Sequence, residues 1–387
     1  SVAERSSILV DDVWLGVSSD AGSSGNARPF TAYGGAKVTE TNLAGTGVAL
    51  GGAFAVAEGQ LALRARLADP QFLRSNWVAE VELLYNNARD FFGNHEVLVA
   101  DDPTQTQVHK DAAIAAYKRF GARVGVGHDL GVSSQVFFDY RVEKIDAVLP
   151  AAASDHRGLD IEPIDFMLTR GASVLSVLRA TLVNDTRDEP SLPTRGHQVV
   201  ASVDASLTPL GSDYPYAKLA LRAAQWMPLP WGHVLELGGF AGAVFGQAPL
   251  FERFYVGDFT DLLPDRVLDL NFNRRPAPNF LGTDVVEIRY GNYAARLGAE
   301  YRVPLYRGTR SIYGVDLFGG MGLYAIANEA DITHHARGYS GLATVPVDLT
   351  FNAGLRVDTQ VGGFTFGISN LLGLIPLRGS SQVGTAP

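Results

Sequence analysis

Apolar and polar residues alternate with period two along most of this chain. From Ala294 to Leu305, Ala295, Leu297, Ala299, Tyr301, Val303 and Leu305 fall on one parity and Arg296, Gly298, Glu300 and Arg302 on the other. From Val347 to Asp358 the apolar set is Val347, Leu349, Phe351, Ala353, Leu355 and Val357, opposed by Asp348, Thr350, Asn352, Gly354, Arg356 and Asp358. Gln60–Asp69 sets Leu61, Leu63, Ala65 and Leu67 against Gln60, Arg64 and Arg66; Trp77–Tyr85 sets Ala79, Val81 and Leu83 against Glu80 and Glu82. Side chains of a strand point alternately to its two faces, so each segment predicts a strand with one apolar face and one polar face. Fifteen such strands are expected, near 7–18, 28–41, 46–57, 59–69, 76–91, 111–127, 132–146, 171–185, 196–209, 214–227, 231–245, 290–305, 309–326, 346–358 and 361–374.

Length separates the two architectures that alternate in this way. Strands of soluble sandwiches average about five or six residues, whereas a tilted strand needs roughly 9–11 to cross a bilayer. The expectation is therefore an all-β transmembrane antiparallel barrel with lipid on the apolar face and a wet lumen on the polar one. Bacterial single-chain barrels close on an even number of strands, which predicts sixteen, with fourteen as the alternative. The final segment, Ile375-Pro376-Leu377-Arg378 to Pro387, makes a poor closing strand. Short connections such as Trp226-Met227-Pro228-Leu229-Pro230-Trp231 alternate with long polar ones near 94–109, 150–169, 247–283 and 328–345, the outer-membrane pattern of short turns at one rim and long loops at the other. The two tryptophans suit an interfacial girdle.

Composition agrees with this reading. Charged residues make up 19%, glycine numbers 42 of 387 residues, and the hydrophobic fraction is 46%. The most apolar stretch, Gly232–Phe251, is interrupted by Glu236 and several glycines, so a spanning helix of roughly 18 residues is not expected. A net charge of −9 argues against a nucleic-acid partner, and the absence of cysteine fits export without structural disulfides. Ser1-Val2-Ala3-Glu4 shows no signal-peptide pattern, and removal of one is expected. Residues 1–387 read as a single barrel domain.

Several local patterns, in order along almost the whole chain, carry a family resemblance. They are Thr41-Asn42-Leu43-Ala44-Gly45-Thr46-Gly47; Asp69-Pro70-Gln71-Phe72-Leu73; Asn184-Asp185-Thr186-Arg187-Asp188 followed by Pro193-Thr194-Arg195-Gly196; Leu297–Leu305; Gly314–Tyr324; and Asn352–Phe366. Together they resemble the outer-membrane protein assembly-factor superfamily, the group of BamA, TamA and the mitochondrial sorting-and-assembly barrel. The resemblance implies that Asn42, Gly45 and Gly47, then Asp69 and Pro70, then Asp185, Arg187, Asp188 and Gly196 lie in family-like turns. It also implies a long sixth loop, about residues 246–283, folded back into the lumen, whose opening resembles Phe254-Tyr255-Val256-Gly257-Asp258. The family's Arg-Gly-Phe tripeptide is altered here to Arg266-Val267-Leu268. By resemblance Arg266 would latch onto Glu300, with Asp316 as secondary partner because Gly320 stands at the family's aspartate position. The first expected strand begins close to Ser1, so the likeness is to a barrel-only member without periplasmic transport-associated domains, or to the trimmed barrel of a longer protein.

Catalytic chemistry is weakly supported, and the chain is expected not to be an enzyme. His334-His335 with Asp331, and His95-Glu96, sit in loops and read as solvated rather than metal-binding. His197 and His233 have no serine partner marked by a motif, and Glu80/Glu82 read as pore lining. Gly319-Gly320-Met321-Gly322 lies inside a strand with no helix following, so it is no phosphate loop and instead lets a lumen element approach. No cofactor or metal is expected. The resemblance implies a bacterial outer-membrane barrel that assists insertion or translocation of proteins through a weak lateral seam. Its partners would be outer-membrane lipid and protein clients or periplasmic subunits. The alternatives are a gated or plugged pore, and a structural barrel subunit whose periplasmic domains come from another chain.

Overall fold

A computed structural model describes residues 7–18, 31–57, 59–91, 97–102, 105–109, 113–190, 192–256, 266–272, 279–287, 290–360 and 362–369. Fifteen long strands form one antiparallel sheet in chain order. They are β1 (Ile8–Ser18), β2 (Thr31–Glu40), β3 (Ala49–Ala57), β4 (Gln60–Asp69), β5 (Trp77–Phe91), β6 (Ala113–Asp129), β7 (Ser134–Val148), β8 (Gly171–Asp185), β9 (Gly196–Ser206), β10 (Tyr216–Pro228), β11 (Val234–Gly246), β12 (Tyr293–Arg307), β13 (Ile312–Ala327), β14 (Val347–Thr359) and β15 (Gly362–Ser369). Each pairs with the next, so every interior strand has both edges hydrogen-bonded. The sheet curls until its ends meet: a Cβ added at Gly362 of β15 would run into the Val10 carbonyl oxygen of β1. Among the described residues no ladder joins β1 to β15.

The count differs from the even number expected. With fifteen strands alternating in direction, β1 and β15 run the same way, so even, fully antiparallel closure is not reached within the described residues. The tail from Ile375 to Pro387 lies outside the described residues.

The two parities separate physically. Leu63, Leu67, Val81, Leu83, Phe120, Val124, Phe138, Leu178, Leu219, Leu297, Met321 and Phe366 are exposed on the outer wall, an apolar belt that only lipid can cover. The opposite parity carries Glu80, Asn86, Asp90, Arg119, Glu143, Asp204, Arg302, Asp316 and Asp348, all buried inside the barrel. Among the described residues no helix is long and apolar enough to cross a membrane. One expectation is corrected. Trp231 is 88% exposed at the short-turn rim, but Trp226 faces the lumen, 6% exposed, and its indole N–H donates to Glu236 at 2.9 Å. Strand parity decides this, since Trp226 lies across from Glu236 in the register.

At the long-loop rim two hairpins, Val97–His109 and Ala152–Pro163, form a four-stranded sheet beyond the barrel. The Leu159 N–H donates to the Arg337 carbonyl at 2.9 Å, and Arg337 pairs with Asp160, which ties this cap to the connection after β13.

Parity predicts the response to mutation. A cation at the bilayer midplane on a barrel's lipid face costs roughly 2–4 kcal/mol and little in a wet lumen. Leu297→Arg and Leu355→Arg should therefore impair assembly, scored as loss of the heat-shifted gel band. Arg296→Leu and Asn352→Leu should leave that band nearly unchanged. Equal losses from both sets would place the wrong parity in lipid.

Candidate functional site

The lumen is filled by the connection between β11 and β12. Its first turn, Leu250–Glu252, is buried, as are Phe254, Tyr255 and Val256. Farther along, Val267 and Leu270 close a tight turn on themselves and are buried in the main apolar cluster. Around this apolar centre the loop is held by charge. Asp269 takes Arg64 of β4 at 2.6 Å and Arg119 of β6 at 3.5 Å. Arg64 and Asn86 both donate to the Leu268 carbonyl, at 3.0 and 2.9 Å. Glu252 takes Arg141 of β7 at 2.5 Å and Lys218 of β10 at 3.8 Å. Arg119 also makes a two-pronged contact with Glu143 at 2.6 and 2.8 Å, with both side chains essentially sealed from solvent. On the far side, Asp348 of β14 accepts the Phe280 and Leu281 N–H groups at 2.8 and 2.9 Å. Arg64, Arg119 and Arg141, which the alternation left facing inward, are thus each paired with a carboxylate that the loop brings with it.

Arg266 is a latch, but not to the expected partner. Its guanidinium sits 3.1 Å from Asp90 of β5, whose carboxylate also accepts the Tyr117 and Tyr290 hydroxyls at 2.8 and 2.9 Å. Glu300 lies elsewhere and binds Arg356 at 2.7 Å, while Asp316 pairs with Arg307 and, at 3.7 Å, with Arg302. The expected Arg266–Glu300–Asp316 grouping is therefore replaced by Arg266–Asp90. The reason is local: Asp269, three residues on, is drawn to Arg64 and Arg119, which carries the loop tip to the β4–β7 wall. Asp90 was missed because nothing in the chain near Phe91 marks it; only its inward parity could have pointed to it.

A chamber of about 390 Å³ is left between the start of the loop and the β10–β14 wall. Three ranks of inward side chains line it, each set by the strand register. Arg222, Phe240, Arg296 and Tyr324 make one; Ala224, Gly238 and Gly298 make a flat floor; Glu236, Glu300 and Asn352 make the third. The Arg222 guanidinium stands 5.6 Å over the Phe240 ring. At Gly320 an added Cβ would meet the Asn352 side-chain oxygen at 2.5 Å, a group of the neighbouring strand and not of the incoming loop.

The family-like turns are each built on a side-chain acceptor. The Asn42 side chain accepts the Gly47 N–H at 2.7 Å, with Gly45 and Gly47 both in the left-handed region. Asp69, before Pro70, accepts the Gln71 N–H at 3.0 Å. Asp185 grips the Arg187 guanidinium at 2.6–3.0 Å, Asp188 accepts the Thr194 N–H and hydroxyl at 2.8 and 2.5 Å, and Gly196, φ 101°, packs on the Thr186 carbonyl. Burial raises the Asp188 carboxyl, but the hydrogen bonds from the Thr194 hydroxyl and from the Thr194 and Arg195 N–H groups outweigh it and hold the group below its ordinary value. Of the candidate metal-site residues, Asp331 caps a short helix through the Asn328 N–H at 2.6 Å, His334 shares a hydrogen bond with Thr333 at 2.9 Å, and His95-Glu96 lie outside the described residues.

Residues 42–262, more than half of the chain, match the Omp85 superfamily domain. The chain belongs to the Omp85 superfamily. The structure of BamA from Haemophilus ducreyi lacking POTRA domains 1–3 is similar across 95% of this chain and 67% of its own length, with a TM-score of 0.59 and 14% identity. CdiB from Escherichia coli is similar across 96% of this chain and 60% of its own length, with a TM-score of 0.55 and 9% identity. No curated protein sequence matches the chain. This Omp85 barrel is a bacterial outer-membrane protein, so its short turns face the periplasm and its long loops the exterior.

Two outcomes follow from the loop's electrostatics. Asp90→Ala should strand the buried Arg266 and cost on the order of 3–5 kcal/mol. Arg266→Ala should cost about 1.5–3 kcal/mol, since both tyrosine hydroxyls still serve Asp90. Arg266→Ala with Asp90→Asn should recover part of the loss in urea-unfolding midpoints; strictly additive changes would disprove the pairing. Glu252 supplies the pH test. Burial raises its carboxyl, but Arg141 and Lys218 outweigh that and bring it from 4.5 to about 2. A depressed folded value stabilises the docked loop above the unfolded value and loses that contribution as pH falls through about 2. Single-channel conductance should therefore rise as pH drops from about 4 toward 2. Glu252→Gln should already show the raised conductance at pH 7, and a wild-type trace unchanged by acid would rule out this control.

Proposed function

We propose that this barrel assists insertion or translocation of other proteins at the outer membrane, as a non-enzymatic device. The observation that carries the reading is the junction of β1 and β15. These strands run in the same direction, meet at Gly362 and Val10 near the periplasmic rim, and have no hydrogen-bonded ladder among the described residues. Every other strand pair is zipped along much of its length. Unpaired N–H and C=O groups in hydrocarbon cost several kcal/mol each, so such a junction is where the wall yields first. It offers an edge to which a client strand can add by β-augmentation. The filled lumen supports the same reading, since a loop fastened by Asp269, Glu252 and Arg266 leaves the wall rather than a central pore as the route.

The experiment is reconstitution. Vesicles carrying the protein should speed the folding of a urea-denatured small outer-membrane barrel at least several-fold over vesicles carrying a closed porin. A disulfide between cysteines placed in β1 and β15 should abolish the gain, and reduction should restore it. Folding no faster than with the porin, accompanied by steady ion conductance, would favour a gated pore instead.

A further inference from the structure

The turn between β8 and β9 does not behave as a surface turn. Connections normally run over the outside, with their tips in water. Here the tip residues Leu192 and Pro193 are both buried. They reach over to β12 and β13, which are not neighbours of β8 or β9 in the sheet. The Pro193 carbonyl accepts from the guanidinium of Arg302, which is 1% exposed and 3.7 Å from the equally buried Asp316. Leu192 fills the space left by the missing side chain of Gly314, where a Cβ would stand 2.9 Å from its Cδ1. Positions 302, 314 and 316 (Arg302, Gly314 and Asp316) share the inward parity near the periplasmic ends of their strands, so the tip enters the lumen from below.

The turn is also stiff and fastened at its base. Asp185 holds Arg187 at 2.6 Å, Arg187 donates to the Pro190 carbonyl at 3.1 Å, and Asp188 clamps Thr194. Arg187 stands 5.6 Å over the Trp226 ring, and Trp226 donates to Glu236, which lies 3.7 Å from Arg356, the partner of Glu300. Glu300 approaches Arg302 at 3.9 Å, which returns the chain of contacts to the tip. Base and tip are joined through the lower wall of the chamber.

We infer that residues 186–190 and 192–195 form a periplasmic plug that closes the lower mouth of the lumen, seated by Arg302 and Gly314. The chamber is then bounded above by the exterior loop and below by this turn. The inference is independent of the seam, because it concerns access to the lumen and not the edge of the sheet.

The absence of cysteine makes a sided labelling test clean. Gly298→Cys places a thiol on the chamber floor, where an added Cβ meets nothing nearer than 3.5 Å. In proteoliposomes, a membrane-impermeant maleimide added to the periplasmic face should label this thiol slowly. Combining it with Leu192→Gly and Pro193→Gly, changes confined to the turn, should speed labelling about tenfold or more. The heat-shifted gel band should persist, showing an intact barrel. In a separate background, Leu192→Cys with Gly314→Cys should cross-link on oxidation and hold conductance at its lowest level. Unchanged labelling in the glycine variant, with the barrel intact, would overturn the plug. So would failure of the cysteine pair to cross-link.

Discussion

No backbone N–H or C=O can be left unpaired in hydrocarbon, and the rest of this molecule follows from that rule. A chain that meets it with strands must pair each one on both sides, which bends the sheet round until its ends approach. Closure creates an inside, and period-two alternation then fixes what the inside contains: the polar parity of every strand, including Arg64, Arg119, Arg141, Arg302 and Arg356. The wall is satisfied wherever strands are zipped. Between β1 and β15 no ladder is formed among the described residues.

An inside lined by arginines raises a second problem, because a guanidinium shut away from water needs a partner. Part of the answer lies within the wall, in pairs such as Arg119 with Glu143 and Arg179 with Asp204. The remainder comes from the β11–β12 connection, whose Glu252 and Asp269 supply carboxylates and whose Val267 and Leu270 supply apolar bulk. Loop and wall are complementary in charge, so removing either leaves several buried charges unpaired. Asp269 is shared by Arg64 and Arg119, and Arg119 is shared by Asp269 and Glu143, which makes the docking a network rather than a set of separate bonds. Near this wall the loop is committed, while toward β12 and β13 it leaves a chamber with its own balance of Glu236, Glu300, Arg302 and Arg356.

Much of this was legible in the chain. The alternation located the fifteen strands close to where they lie and the division between lipid face and lumen face, while the inward fold of the long connection came from the family resemblance. These are local properties: a strand's two faces are set by its own residues, and its length by the thickness it must cross. The turns were equally readable, since Asn42, Asp69, Asp185 and Asp188 act on backbone groups a few residues away. Family-like patterns at those positions needed no knowledge of the distant fold.

Partnership across the lumen was not legible. Arg266 belongs to Asp90, 176 positions away, because curvature brings β5 opposite the loop tip and Asp269 pulls that tip toward β4 and β6. Trp226 turned inward to Glu236, and Leu192 and Pro193 buried themselves beneath Arg302, for the same kind of reason. The sequence by itself determined which side chains face in and which face lipid, because period and polarity are written locally. Which inward charges meet, and which strands the Leu192–Pro193 tip is buried against, were decided only by the tertiary structure. Those outcomes depend on the curvature of the closed sheet, which places strands far apart in sequence across one narrow, low-dielectric space.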